Sequence, residues 1–173
     1  MLRRQISEDQ ARDRIERLCA KCERCTYDMR RKLLGWGIED RKAAGIIAAL
    51  VEERFIDDAR FAKAYTRDKY RFQRWGRRRI SNELRMRHIA PAVIEEALCE
   101  IDEAEYRGIA LELLRAKARS LHEEADTFEG RRKLLRFGMS RGYEPDMLIS
   151  MIKSGLQPDT ESPDADDREV DNG

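Results

Sequence analysis

The chain has 173 residues, of which 40% are charged, 41% hydrophobic and 7% aromatic. Its mean hydropathy of -0.75 excludes an integral membrane protein, and its hydrophobic share, enough for a core, excludes a wholly disordered chain. Because Leu, Ala, Glu, Lys and Arg dominate while Gly and Pro are few, we expect an all-α, soluble, cytoplasmic protein.

An internal repeat organises the predicted helices. One apolar stripe with the i, i+3, i+4, i+7 spacing of a helix occurs first in residues 43–50, again 51 residues later, and again after a further 54 residues. Its three copies are Ala43-Ile46-Ile47-Leu50, Ile94-Ala97-Leu98-Ile101 and Leu148-Met151-Ile152-Gly155. Ile38, Ile89 and Tyr143 are related by the same offsets. The repeat predicts three structurally similar units.

Each predicted unit has three helices, because one more apolar stripe precedes the repeated segments of the unit. In the first unit this stripe is Ile15, Leu18, Cys19 and Cys22 on one helix. Units of about 50 residues bury little surface alone, so we expect neighbours to stack into an elongated body without strands. The predicted boundaries are 1–56, 57–102 and 103–156.

The remaining residues, 157–173, form an acidic tail. Five Asp and two Glu stand against one Arg there, a net charge of -6. With no aromatic residue and two prolines, the tail cannot bury enough surface to offset the entropy of ordering, so we predict it to be disordered. It could compete for a basic surface of its own protein.

Positive charge is concentrated in the second unit. Residues 60–90 hold eleven Lys or Arg against Asp68 and Glu83, a local net charge of +9. Such a concentration is typical of a surface that binds a polyanion or an acidic protein. The candidate binding residues are Arg67, Lys69, Arg71, Arg74, Trp75, Arg77, Arg78, Arg79, Arg85 and Arg87.

Two further features of this segment bear on its partner. Arg77, Arg78 and Arg79 stand at a predicted helix start, where cations oppose the helix macrodipole unless a negative partner relieves them. Five aromatic residues lie among the cations, and such rings can stack on unpaired bases, although we expect Phe61 and Tyr65 to pack inward. An autonomous nucleic-acid-binding module is therefore the alternative to a protein-binding regulator.

Two motifs in this segment resemble those of the RecX family of regulatory proteins. The stretch Phe55–Ala62 is similar to the family's D-D-x-R-F-A signature, and Trp75–Leu84 to its aromatic-Gly-x-x-Arg-Ile-x-x-x-Leu segment. Met29–Leu34 and Arg132–Leu135 resemble its first-unit and third-unit helices, so the resemblance spans residues 14–154. The chain departs from the family at His88, where Gly is common, and at Gly138, where Leu is expected.

The resemblance implies a non-enzymatic modulator, most simply an inhibitor, of the RecA recombinase. Such proteins bind the RecA–DNA filament and alter its ATP hydrolysis, strand exchange and coprotease activity in recombination, DNA repair and the SOS response. We expect the RecA filament as partner, with single- or double-stranded DNA as a further direct contact, and a monomeric protein without cofactors. Carried over by position, Asp57, Asp58, Arg60 and Phe61 are signature residues. We expect the two aspartates to cap a helix with Arg60 as their ion-pair partner.

Other sites are weaker. Cys19, Cys22 and Cys25 have C-x-x-C-x-x-C spacing, but on a continuous helix they point in different directions, and a metal needs a fourth ligand. We therefore predict structural, reduced cysteines and keep a metal or redox role open as the alternative. No nucleophile with a His and acid partner can be recognised from the sequence, so we predict no catalysis.

Overall fold

We describe residues 6–157 of a computed structural model, and within this range every regular element is a helix. The α-helices are α1 (Glu8–Cys19), α2 (Thr26–Gly35), α3 (Asp40–Glu52), α4 (Asp58–Arg71), α5 (Arg77–Arg85), α6 (Pro91–Cys99), α7 (Glu103–Leu121), α8 (Phe128–Ser140) and α9 (Pro145–Lys153), with a 3-10 helix at His122–Asp126. No helix in this range is long and apolar enough to span a membrane. The all-α prediction is confirmed. The predicted tail, apart from Gln157, lies outside the described residues.

The helices form three tandem units, α1–α3, α4–α6 and α7–α9, as the repeat predicts. The repeated apolar stripe is buried in α3, α6 and α9, with Leu50, Ile94 and Leu148 at most 2% exposed. Extensive helix packing occurs within each unit, and α4 also packs against α7. The units follow one another along the chain, and the proposed boundaries fall in the α3–α4 and α6–α7 loops.

Side chains at several helix starts satisfy the free backbone N–H groups there. Ser7 forms a capping box with Gln10 at α1, and Asp102 accepts the N–H of Glu105 at α7. Asp57 caps α4 by accepting the N–H groups of Ala59 and Arg60. The predicted capping role of Asp57 is confirmed.

The turn between the second and third helix requires a left-handed backbone in every unit. Gly37, His88 and Gly142 have φ angles of 88°, 57° and 92°, and they are related by the repeat offsets. Each is followed by a buried residue, which is Ile38, Ile89 or Tyr143, where the chain enters the core again. Glycine adopts this conformation without a Cβ penalty, so His88 carries strain that the other two units avoid.

Gly138 accounts for the second departure from the family pattern. This glycine is buried in α8, and a Cβ there would lie 2.5 Å from the Cδ2 atom of Leu148. The fully buried Leu148 side chain of α9 occupies the space that a side chain on α8 would need. At this position the third unit therefore fills its core with Leu148 of α9 instead of with a side chain of α8.

Candidate partner-binding surface

Cations of the same chain lie against the rings of Trp75 and Tyr65 in the middle unit, whereas Phe72 is 75% exposed. The guanidinium carbon of Arg79 lies 3.9 Å from the ring centroid of Trp75. Lys69 Nζ lies 4.8 Å from Trp75 and 5.1 Å from Tyr65, and Arg87 lies 5.1 Å from Tyr65. These rings form a cation–π ladder along α4 and α5. A base could stack on them only by displacing a cation.

Phe61, the fourth signature residue, packs inward as predicted. Its side chain is 8% exposed and belongs to the core shared by the second and third units. Its ring centroid lies 5.4 Å from that of Tyr65, which is half-buried at the edge of the same core. Phe61 therefore supports Tyr65 of the ladder from within the core.

Three of the candidate arginines are committed to ion pairs between units. Arg71 donates to Glu105 at 2.9 Å, and Arg77 donates to Glu103 at 2.7 Å. Arg87 lies 3.3 Å from Asp28 of the first unit and 2.8 Å from Glu83. Because these partners are distant in the chain, the local charge of +9 overstates what the surface presents. These arginines connect the three units.

At the first turn of α5, the free N–H groups and the positive charge of Arg77 have their partners mainly within the protein itself. The Arg77 N–H donates to the Tyr106 hydroxyl at 2.9 Å, and the Arg78 N–H donates to the Gly142 carbonyl at 3.1 Å. The Arg77 guanidinium lies between Glu103 and Glu144 and 4.2 Å from the Tyr106 ring centroid. An external anion is therefore unnecessary at this helix start, contrary to the sequence-based interpretation.

Four candidate cations remain exposed and lack an ion-pair partner within residues 6–157: Arg67, Arg74, Arg78 and Arg85. Arg78, Asn82 and Arg85 lie on one face of α5 because they are four and three residues apart. They line an open groove with Arg77, with Ser81 and with Leu98 of α6, and none of these lining residues is acidic. We name this groove the α5 groove. Its two unpaired arginines, Arg78 and Arg85, make it a candidate surface for a negative partner.

The signature aspartate Asp58 has a role that the sequence did not predict. Its carboxylate accepts the Thr26 N–H and the Thr26 hydroxyl, both at 2.8 Å. Asp58 therefore caps α2 of the preceding unit, whose own N-cap residue, Cys25, forms no side-chain cap. The prediction that Asp58 caps its own helix is wrong, because Asp57 already occupies that position.

Arg60 also joins units more than it pairs with the aspartates. It donates to Glu23 at 3.0 Å and to the Arg54 carbonyl at 3.1 Å, whereas Asp57 lies 3.9 Å away.

Tyr106 has the same capping role for the following unit as Asp58 has for the first, since Arg77 follows Thr26 by the repeat offset of 51. The N-terminus of the second helix is thus capped from the next unit in both cases. In the sequence, only the repeat offset of 51 residues indicates that Thr26 and Arg77 correspond.

The three N-terminal cysteines do not lie on one helix. Cys19 ends α1, Cys22 is exposed in the turn, and Cys25 precedes α2. The predicted continuous stripe is wrong at Cys22, because the cap from Asp58 starts a new helix at Thr26. Burial raises the pKa of Cys25 to about 12 and also raises the pKa of Cys19. No cluster of potential metal ligands occurs within residues 6–157.

Comparisons with known proteins agree with this architecture. The family model described as "RecX, second three-helix domain" matches residues 57–98. Regulatory protein RecX of Clostridium botulinum (strain Eklund 17B / Type B) is 33% identical over 129 residues, which cover 74% of this chain and 60% of that protein. Regulatory protein RecX of Mycobacterium sp. (strain JLS) is 27% identical over 159 residues, covering 89% and 86%. The chain belongs to the RecX family.

Solved structures of RecX share the fold. A crystal structure of regulatory protein RecX has a TM-score of 0.75 at 20% identity, covering 85% of this chain and 71% of that one. RecX from Lactobacillus salivarius has a TM-score of 0.72 at 18% identity, covering 86% and 96%. The match to the Clostridium botulinum relative spans only 60% of that protein's length. The activity and the partners of this chain are therefore proposals.

Proposed function

We propose that this RecX-family protein binds the RecA–DNA filament and inhibits its ATP hydrolysis, strand exchange and coprotease activity. It would act in the cytoplasm as a monomer, without catalysis or cofactor, in recombination, DNA repair and the SOS response. We propose also that its units are divided at residues 56/57 and 102/103. The RecX resemblance supplies the partner, and the α5 groove supplies the observation on which the contact rests.

The α5 groove supports this proposal through its charge. Arg78 and Arg85 are exposed, lie on one helix face and lack internal carboxylate partners in the described chain. Guanidinium groups of this kind bind carboxylates through two parallel hydrogen bonds. We therefore propose that Arg78 and Arg85 contact filament carboxylates or phosphates directly. Arg67 and Arg74 would extend this surface, and the ion-paired arginines would hold its shape.

Direct binding of naked nucleic acid is the second candidate. The same free arginines could contact phosphates, which supports it. Stacking of bases on Trp75 or Tyr65 has less support, because cations already lie 3.9 to 5.1 Å from those rings. A nucleic-acid module would thus rely on phosphate contacts and would bind with a steep salt dependence.

The test compares two double variants that remove equal charge. Arg78→Ala with Arg85→Ala empties the α5 groove, whereas Arg41→Ala with Arg136→Ala removes two exposed arginines from the first and third units. Binding to preformed RecA filaments on single-stranded DNA is measured by fluorescence anisotropy. We expect the groove variant to weaken binding by at least about tenfold, since hydrogen bonds to charged groups contribute about 1.5–3 kcal/mol each. The control should bind as the unsubstituted protein does.

Each outcome distinguishes the candidates. Equal weakening by both double variants would show that only overall charge matters and would reject the groove as the contact. Tight binding to naked single-stranded DNA, lost in the groove variant, would replace the filament proposal with the nucleic-acid module. Binding to filaments that is far tighter than to naked DNA, and lost only in the groove variant, would support the filament proposal.

A further inference from the structure

The three units share two hydrophobic cores. One core joins the second and third units, from Phe61 to Ile152. The first unit has its own core, from Ala11 to Ile56. Among residues 6–157, Cys25 is the only buried first-unit residue that belongs to the shared core, and Tyr27 packs at its edge. The apolar contacts of the first unit therefore lie mainly within that unit.

The joint between the second and third units is tight and apolar. The Gly76 N–H donates to the Arg141 carbonyl at 2.9 Å, and a Cβ on Gly76 would lie 2.1 Å from the Gly142 carbonyl carbon. The buried rings of Tyr70 and Tyr106 lie 6.5 Å apart, edge to face, across this joint. Backbone in direct contact with backbone leaves no room for the two units to slide, so they form one body.

The joint between the first and second units is polar and largely at the surface. Besides the packing of Cys25 and Tyr27, it includes the Asp58 cap on Thr26, the pair of Arg60 with Glu23, and the pair of Arg87 with Asp28. The Arg60 and Glu23 side chains are 43% and 34% exposed, so water and salt reach this pair. A tilted ring contact of 4.8 Å between Tyr27 and His88 completes the joint. Exposed ion pairs of this kind are weak and are screened by salt.

The covalent connection across this joint is short and well defined. Ile56 is 1% exposed in the first unit's core, and its N–H donates to the Leu50 carbonyl at 3.1 Å. The next residue, Asp57, already caps α4. The backbone dihedrals at Ile56 and Asp57 are therefore the point about which the first unit could turn with its own core intact, withdrawing only Cys25 and Tyr27 from the shared core.

We propose that the first unit swings as a rigid body about Ile56 and Asp57, while the second and third units move together. The Asp58 cap, the exposed Arg60–Glu23 pair and the half-buried Arg87–Asp28 pair hold the joint closed, so salt or loss of the Asp58 charge opens it. The hinge would allow one chain to adjust the spacing of its first unit to the partner on which the middle unit is docked. It does not depend on what that partner is.

Two spin-labelled pairs test the hinge on the full chain. The first pair combines the exposed native Cys99 with Arg41→Cys in α3 and spans the polar joint. The control pair combines Cys99 with Ser150→Cys in α9 and spans the apolar joint. Both carry Cys19→Ala, Cys22→Ser and Cys25→Ala, so that only the two chosen cysteines are labelled. Electron–electron double resonance gives the distance distribution of each pair at low salt and at 1 M NaCl, where the Debye length is about 3 Å.

The hinge predicts an asymmetry between the pairs. The distribution across the polar joint should be broad and should broaden further in 1 M NaCl or with Asp58→Asn, at least about twofold in width. The control distribution should stay narrow under both changes. Arg60→Ala provides a second opening variant that leaves the Asp57 cap of α4 in place. Equal widths for the two pairs, or a polar-joint distribution unmoved by salt and by both variants, would overturn the proposal.

Discussion

Gly76→Ala should strongly destabilise the protein, although alanine suits the backbone conformation at this position. Gly76 has φ -78° and ψ 160°, which any residue adopts, so the substitution alone would stabilise by about 0.4–1 kcal/mol through the unfolded chain. Its Cβ, however, would lie 2.1 to 2.2 Å from the backbone of Gly142 and Tyr143. Backbone atoms cannot rotate aside as a side chain can, so the two units must separate.

The magnitude follows from the hydrogen bonds at this joint. Separation loosens the bonds from the N–H groups of Gly76, Arg77 and Arg78 to Arg141, Tyr106 and Gly142, respectively. At about 1 kcal/mol each, with about 1–3 kcal/mol for overpacking and about 0.4–1 kcal/mol gained through the unfolded chain, the net loss is about 3–6 kcal/mol of unfolding free energy. Urea unfolding followed by circular dichroism measures it.

Gly108→Ala is the matched control for this substitution. Gly108 is exposed inside α7, and a Cβ there would meet no atom within 4 Å. Alanine should therefore stabilise the helix by about 0.5–1 kcal/mol. A Gly76→Ala protein as stable as Gly108→Ala would refute the close backbone approach that joins the second and third units.

Three further predictions concern single groups. His88→Gly should be more stable than His88→Ala by about 1 kcal/mol in urea unfolding, because both lose the imidazole and only glycine suits φ 57°; equal stability would contradict the strain. The Arg71 hydrogen bond lowers the pKa of Glu105, so its contribution to stability is present above about pH 4.3 and disappears as pH falls through the lower folded pKa; Glu105→Gln should lose less stability between pH 6 and pH 3 than the unsubstituted chain, and parallel losses would count against it. Iodoacetamide at pH 8 should alkylate the exposed Cys22 and Cys99 quickly and Cys25 only on unfolding, as mass spectrometry of the peptides would show; rapid modification of Cys25 would contradict its burial.

The helices and their repeat could be predicted because they depend on local periodicity. The stripe from Ala43 to Leu50 recurs at fixed offsets, and an apolar stripe specifies both a helix and its buried face. The same offsets align Gly37, His88 and Gly142, so a left-handed turn at this position of each unit could be predicted from the sequence. Its strain at His88 became visible only from the backbone angles.

The candidate surface could be predicted only incompletely, because ion pairs connect residues far apart in the chain. Arg77 and Glu103 are 26 residues apart, and Arg87 and Asp28 are 59 apart. A count of local charge treats these arginines like Arg78 and Arg85, whereas the fold neutralises the first two and exposes the others. The same reason hid the Asp58 cap, which lies 32 residues from Thr26.

The most direct test of the proposed function is RecA ATP hydrolysis on single-stranded DNA, titrated with this protein. We expect inhibition well below one copy per RecA protomer. The Arg78→Ala and Arg85→Ala variant should lose this inhibition, whereas the Arg41→Ala and Arg136→Ala control should inhibit fully. Unchanged hydrolysis at excess protein, or inhibition that the groove variant retains in full, would contradict it.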